Sequence, residues 1–167
     1  RSQGLSSVIN GSNAIQLDWS LKGFRHEKSL KTENTMYSWY YYKTDGEVDY
    51  LRPGNTEVVK SLDWVAYKQH FFMSNLLTDT PFKNATVTST DLVENEKIDT
   101  VFTKNYELKA PLTLTGGEFN YNMKWFYGPS DYNLLTTYEE TNLDETADLG
   151  WGIFGFLNRT VFYPVFN

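Results

Sequence analysis

Residues 63–77 read DWVAYKQHFFMSNLL, the most apolar internal stretch of the chain. Val65, Tyr67, Phe71 and Met73 lie on one parity, and Trp64, Ala66 and Phe72 on the other. A run this apolar also suits a buried helix, but its aromatic and β-branched content argues for a strand. With apolar side chains on both parities, it is expected to be a central strand covered on both faces.

The pattern outward from this stretch is mostly period two. On the N-terminal side, Ile15, Leu17, Trp19 and Leu21 alternate with Gln16, Asp18, Ser20 and Lys22, which predicts a strand with one buried face. TMYSWYYY (35–42) predicts another, with Tyr37, Trp39 and Tyr41 on one face. Asp45-Gly46 then marks a turn, because glycine adopts positive φ without penalty. EVDYL and a loop at Arg52-Pro53-Gly54-Asn55 follow. On the C-terminal side, ATVTSTDL, KIDTVFT and NYELKAPLTL give the short-strand rhythm of an all-β sandwich or barrel. Gly116-Gly117 marks a turn, and EFNYNMKWFY (118–127) sets Phe119, Tyr121, Met123, Trp125 and Tyr127 against Glu118, Asn120, Asn122 and Lys124.

At Gly128-Pro129 the period changes. Leu134, Leu135 and Tyr138 sit at helical spacing, with Ser130 or Asp131 as the cap, and Asn142 with Glu145 forms a second capping pair. The expected organisation is a flexible leader over 1–13, a β-sandwich over 14–127 and a helical segment over 128–167.

The chain has 167 residues and a net charge of -6, enough length for one core-bearing domain. The acidic balance argues against a nucleic-acid partner, whose affinity rests on Lys and Arg neutralising phosphates. Lys22, Arg25, His26, Lys28 and Lys31 are expected to form a solvated turn. There is no cysteine, hence no disulfide and no thiolate chemistry. The first residue is Arg, which fits a processed chain or a fragment of a longer one. His26 and His70 lack metal-ligand spacing, His70 reading as part of an apolar strand, and the acidic pairs are expected to be solvated. No phosphate-binding or nucleophile motif occurs, so no catalytic residue, metal or cofactor is expected. Tyr37, Trp39, Tyr41 and Tyr42 could stack on sugars, or could serve as core and cross-strand pairs.

The tail LGWGIFGFLNRTVFYPVFN (149–167) is almost wholly apolar yet short of the roughly 20 apolar residues of a membrane span. Ile153, Leu157, Val161 and Val165 fall on one helical stripe, beside Phe154 and Pro164, with Gly155, Asn158, Arg159 and Phe162 opposite. Such a helix suits the membrane interface, with Trp151 and Tyr163 at headgroup depth and Arg159 snorkelling. It equally suits a helix packed on a sandwich core.

WVAYKQHFF (64–72), WFYGPSDYNLL (125–135) and DLGWGIFGFLNRTVFYPVF (148–166) together resemble the YidC-type membrane protein insertases, most closely the Bacteroidetes-like branch. The resemblance runs from about Trp64 to the end. It implies the C-terminal part of a longer periplasmic β-supersandwich like that of galactose mutarotase. It also implies an insertase that assists folding of inner-membrane proteins, alone or beside the Sec translocon. The expected location is the periplasmic side of the inner membrane of a Gram-negative bacterium. The expected partners are its lipid surface, Sec subunits and nascent membrane proteins. In that family the insertion groove lies within membrane helices absent here, so the resemblance implies a non-enzymatic domain. By resemblance, Trp151, Ile153, Phe154, Leu157, Arg159, Val161, Phe162 and Tyr163 form the membrane-proximal helix, and Trp64, Trp125, Gly128, Pro129 and Gly150 are structural. The competing reading is a secreted carbohydrate-binding or mutarotase-like sandwich.

Overall fold

A computed structural model describes residues 14–34, 38–95, 97–98, 101–114, 118 and 120–147. The leader 1–13 and the tail from 148 onward lie outside these described residues, as do Tyr37, Phe119 and the Gly116-Gly117 pair. The strands are β1 (Ala14–Phe24), β2 (Ser38–Thr44), β3 (Glu47–Leu51), β4 (Thr56–Gln69), β5 (Phe72–Asp91), β6 (Phe102–Thr113) and β7 (Met123–Pro129). They form one antiparallel sheet in the order β1-β6-β5-β4-β2-β3, with β7 paired to β5 off this path. The all-β expectation holds.

The opening stretch is not one central strand. It is the β4–β5 hairpin, turning at His70-Phe71, with Gln69 paired to Phe72 and Tyr67 to Ser74. His70 has φ +51, a conformation in which histidine is enriched relative to bulkier residues. A two-residue turn inverts parity. Val65 and Tyr67 therefore face the core, while Met73 faces the other side with Lys68. The expectation of burial on both faces does hold for β4: Trp64 and Ala66 are as buried as Val65 and Tyr67.

Two further expectations change. ATVTSTDL is the end of a 20-residue strand that runs through Pro81. Of KIDTVFT, Phe102 and Thr103 begin β6, and among the described residues Lys97, Ile98 and Val101 are not in a strand. Pro81 is accommodated at a bulge. Leu62 pairs with Phe82 and Trp64 with Leu77, so Asp63 alone faces Thr78–Pro81. A residue without an N–H is tolerated where the ladder is already broken. There the Asp79 N–H donates to the Asn122 carbonyl at 3.2 Å, and the Asn122 amide donates to the Asp79 carboxylate at 2.6 Å.

The bulge lets the sheet fold over itself. Three strand spacings of about 4.8 Å would hold β1 roughly 14 Å from β4 in a flat sheet. Instead the Trp19 and Tyr67 rings stack at 4.2 Å. The Tyr40 hydroxyl on β2 donates to the Glu107 carbonyl on β6 at 3.1 Å. Between the two layers lie Tyr40, Tyr67, Tyr106, Leu62, Leu76, Phe82, Val87 and Leu108. Each large apolar side chain there contributes about 1.5–3 kcal/mol through burial.

The chain divides into two compact units, Arg1–Gly128 and Pro129–Asn167. In the second, α2 (Tyr132–Thr136) is capped by Asp131, whose carboxylate accepts the Leu134 N–H at 2.9 Å. Asn142 and Glu145 bond side chain to side chain at 2.8 Å, next to a short 3-10 helix at Leu143–Thr146. Among the described residues of this unit, Leu135 and Leu143 are buried.

Candidate functional site

The stretch between β1 and β2 is not simply a solvated turn. Arg25 donates to the carbonyls of Glu27, Lys28 and Ile98, binding the loop to the β5–β6 connection. Just past α1 (Leu30–Thr32), the buried Glu33 carboxylate accepts the backbone N–H groups of His26 at 2.9 Å and Glu27 at 2.8 Å, and the Ser38 hydroxyl at 3.2 Å. Anionic acceptors bind backbone amides more strongly than neutral ones, so one side chain fixes the whole turn. The loop brings the chain's two histidines together: the His26 and His70 rings meet edge to face at 4.8 Å, and His70 lies 3.8 Å from Glu27. That juxtaposition was invisible in the sequence, where 44 positions separate them. Among the described residues no three His, Cys, Asp or Glu side chains gather as a metal site.

Lys104 is buried and pairs with Asp91 at 3.1 Å. Burial pushes its ammonium below the ordinary lysine value, and Asp91 partly offsets this. Burial likewise raises the phenols of Tyr40, Tyr67 and Tyr106 well above the ordinary tyrosine value. These are marks of a packed interior rather than of an open cleft.

The accessible feature is an aromatic wall. Tyr106 stacks on Tyr67, Tyr67 on Trp19, and the edge of Trp19 meets Trp125 at 4.7 Å. Trp125 in turn lies parallel to Tyr127. The row leads from the interior to solvent, with Trp125 45 % and Tyr127 66 % exposed. The alternation of 118–127 foretold Tyr121 and Met123 against the core; beyond them Phe126 is the buried residue and its odd-numbered neighbours are exposed.

Of the structural motif residues, Trp64 is 2 % exposed and paired across the ladder with Leu77. A Cβ at Gly128 would come within 2.7 Å of the far end of the Phe126 ring, so a side chain there requires that ring to shift. Pro129 ends β7. Gly150 and the tail residues Trp151, Ile153, Phe154, Leu157, Arg159, Val161, Phe162 and Tyr163 lie outside the described residues. Among the described residues no helix is long and apolar enough to cross a membrane. Of the four candidate sugar-stacking aromatics, Trp39 and Tyr41 share a face with rings 6.0 Å apart, but Tyr42 points into the core.

A profile of the YidC periplasmic domain matches residues 7–164. The chain belongs to the YidC periplasmic domain family. Within this family, the membrane protein insertase YidC of Porphyromonas gingivalis is 31% identical over 176 residues, covering 97% of this chain and 27% of the relative. The YidC of Parabacteroides distasonis is 27% identical over 98% of this chain and 27% of its own length. That of Bacteroides fragilis is 28% identical over 93% of this chain and 26% of its own length. The chain thus spans about a quarter of the length of these YidC relatives.

Proposed function

We propose that this chain is the periplasmic part of an inner-membrane protein insertase and acts as a scaffold and partner-binding surface, not as a catalyst. Its clients are nascent membrane proteins and its neighbours are the lipid surface and Sec translocon subunits. The helix Trp151–Phe166 is the membrane-proximal element, lying in the interface with Arg159 at the headgroups and Ile153, Leu157 and Val161 turned to the acyl chains. The observation that carries this reading is the YidC periplasmic match continuing to residue 164, through a tail whose apolar stripe has a narrow polar strip.

Co-sedimentation with vesicles of inner-membrane composition tests it, comparing the full chain with a version ending at Asp148. Pelleting of the full chain alone supports the interfacial helix. If both stay in the supernatant and the shortened chain unfolds, the tail is core and its membrane role falls.

A further inference from the structure

We propose that the aromatic row Trp19, Trp125 and Tyr127 is a relay that carries a one-electron oxidation from the core to an outer phenol. Its co-reactant is a diffusible one-electron oxidant, of the class of the azide and carbonate radicals. This is independent of the membrane reading.

The row is continuous. Trp19 stacks on Tyr67 at 4.2 Å and meets Trp125 edge to face at 4.7 Å, and Trp125 lies parallel to Tyr127 at 6.1 Å. Electron transfer between π-systems falls off exponentially with separation. Neighbours this close exchange an electron far faster than rings held apart by aliphatic packing. Trp39 has its own ring neighbours, Tyr41 and Tyr50.

Proton chemistry gives the row its direction. A phenol is readily oxidised only if its proton leaves with the electron. In the interior that exit is closed. The Tyr67 hydroxyl donates to the Trp19 carbonyl at 3.3 Å, and the Tyr40 hydroxyl to the Glu107 carbonyl at 3.1 Å. A backbone carbonyl takes up no proton at neutral pH, and burial foremost opposes the loss of either phenolic proton. Tyr67 is therefore a poor trap for the oxidation, although it touches Trp19. Trp125 and Tyr127 are exposed, so the outer phenol passes its proton to water.

The steps balance. The oxidant takes one electron from Trp19, which is only partly buried, and becomes its anion. Trp125 returns an electron to the Trp19 radical cation, and Tyr127 returns one to Trp125. The Tyr127 O–H bond breaks, its proton goes to water, and a neutral phenoxyl radical remains. A hydrogen atom from a soluble thiol restores the phenol and leaves a thiyl radical in solution. The interior rings end unchanged.

Pulse radiolysis of the full chain in azide solution tests the relay, since azide radical oxidises indoles in preference to phenols at neutral pH. Trp39→Phe is the parent, because Trp39 has phenols of its own beside it. The expected result is a decay of indolyl absorption matched by growth of phenoxyl absorption, first order and independent of protein concentration. In that parent, Tyr127→Phe removes the terminus and Trp125→Leu breaks the row. Each is expected to lose the fast phase of the growth, and circular dichroism checks that each is folded. A parent whose indolyl radicals decay without phenoxyl growth overturns the proposal. So does growth that survives either substitution at the parent's rate.

Discussion

The Tyr67 hydroxyl donates to the Trp19 carbonyl at 3.3 Å and their rings stack at 4.2 Å, although two strands separate β4 from β1 in the sheet. This pair closes one layer onto the other. Trp19→Ala is expected to cost about 2–4 kcal/mol, less than a fully buried tryptophan because Trp19 is only partly covered. Tyr67→Phe, which keeps the stack and loses the hydrogen bond, is expected to cost about 1 kcal/mol. In urea unfolding, a cycle of Trp19→Ala with Tyr67→Ala should show coupling of about 0.5–1.5 kcal/mol. Strict additivity would mean that the two rings do not pack in solution.

Alkaline pH should unfold the protein steeply. Burial foremost holds the phenols of Tyr40, Tyr67 and Tyr106 above the ordinary 10.0, so the native state keeps protons that the unfolded chain releases. Their stabilisation is complete below pH 10 and falls above it by about 1.4 kcal/mol per pH unit for each group. Lys104 acts in the opposite direction. Its value lies below 10.5, so the cost of its burial as an ammonium fades as pH rises towards 10.5. Three groups outweigh one. Tyrosinate absorbance should show part of the 12 tyrosines ionising only together with loss of the β circular dichroism. A smooth titration of all of them near pH 10 in folded protein would contradict the buried cluster.

Replacing Glu33 tests the clamp on the β1–β2 connection. Glu33→Ala strands the His26 and Glu27 N–H groups and the Ser38 hydroxyl, and is expected to cost about 3–5 kcal/mol. Glu33→Gln, which keeps one acceptor oxygen, should cost less. Hydrogen exchange at the His26 and Glu27 amides should accelerate in both. Unchanged protection would remove Glu33 from this role.

Gly128→Ala drives a methyl group to 2.7 Å from the Phe126 ring. The backbone there is not left-handed, so the cost is steric, about 1–3 kcal/mol. Phe126→Leu in the same chain should recover much of it in thermal melts. A failure of that rescue would place the clash elsewhere.

Much of the secondary structure was legible. The alternation over 15–21 gave β1 and its buried face, Asp45-Gly46 gave the β2–β3 turn with φ +51 and +87, and Asp131 gave the α2 cap. Each is a local signal, carried by side-chain period or by a residue suited to one backbone state. The β4–β5 turn had no such signal, because His70-Phe71 resembles the strands on either side of it. The Glu33 clamp and the histidine pair were equally silent, since a buried acid and a surface acid look alike in sequence. The tail was legible only as a pattern that two environments satisfy.

The sequence by itself determined that the chain is all-β, which side of β1 is greasy, and that it carries the YidC-type stretches matched over residues 7–164. Period two specifies a face and says nothing about which strand lies opposite or where a ladder bends. Only the tertiary structure decided that β5 continues past Pro81 through a bulge, that the sheet folds there, and that Trp19 reaches Tyr67 across it. Those outcomes depend on pairing between residues distant in the chain, whose energies arise once the layers have closed and water has been excluded from between them.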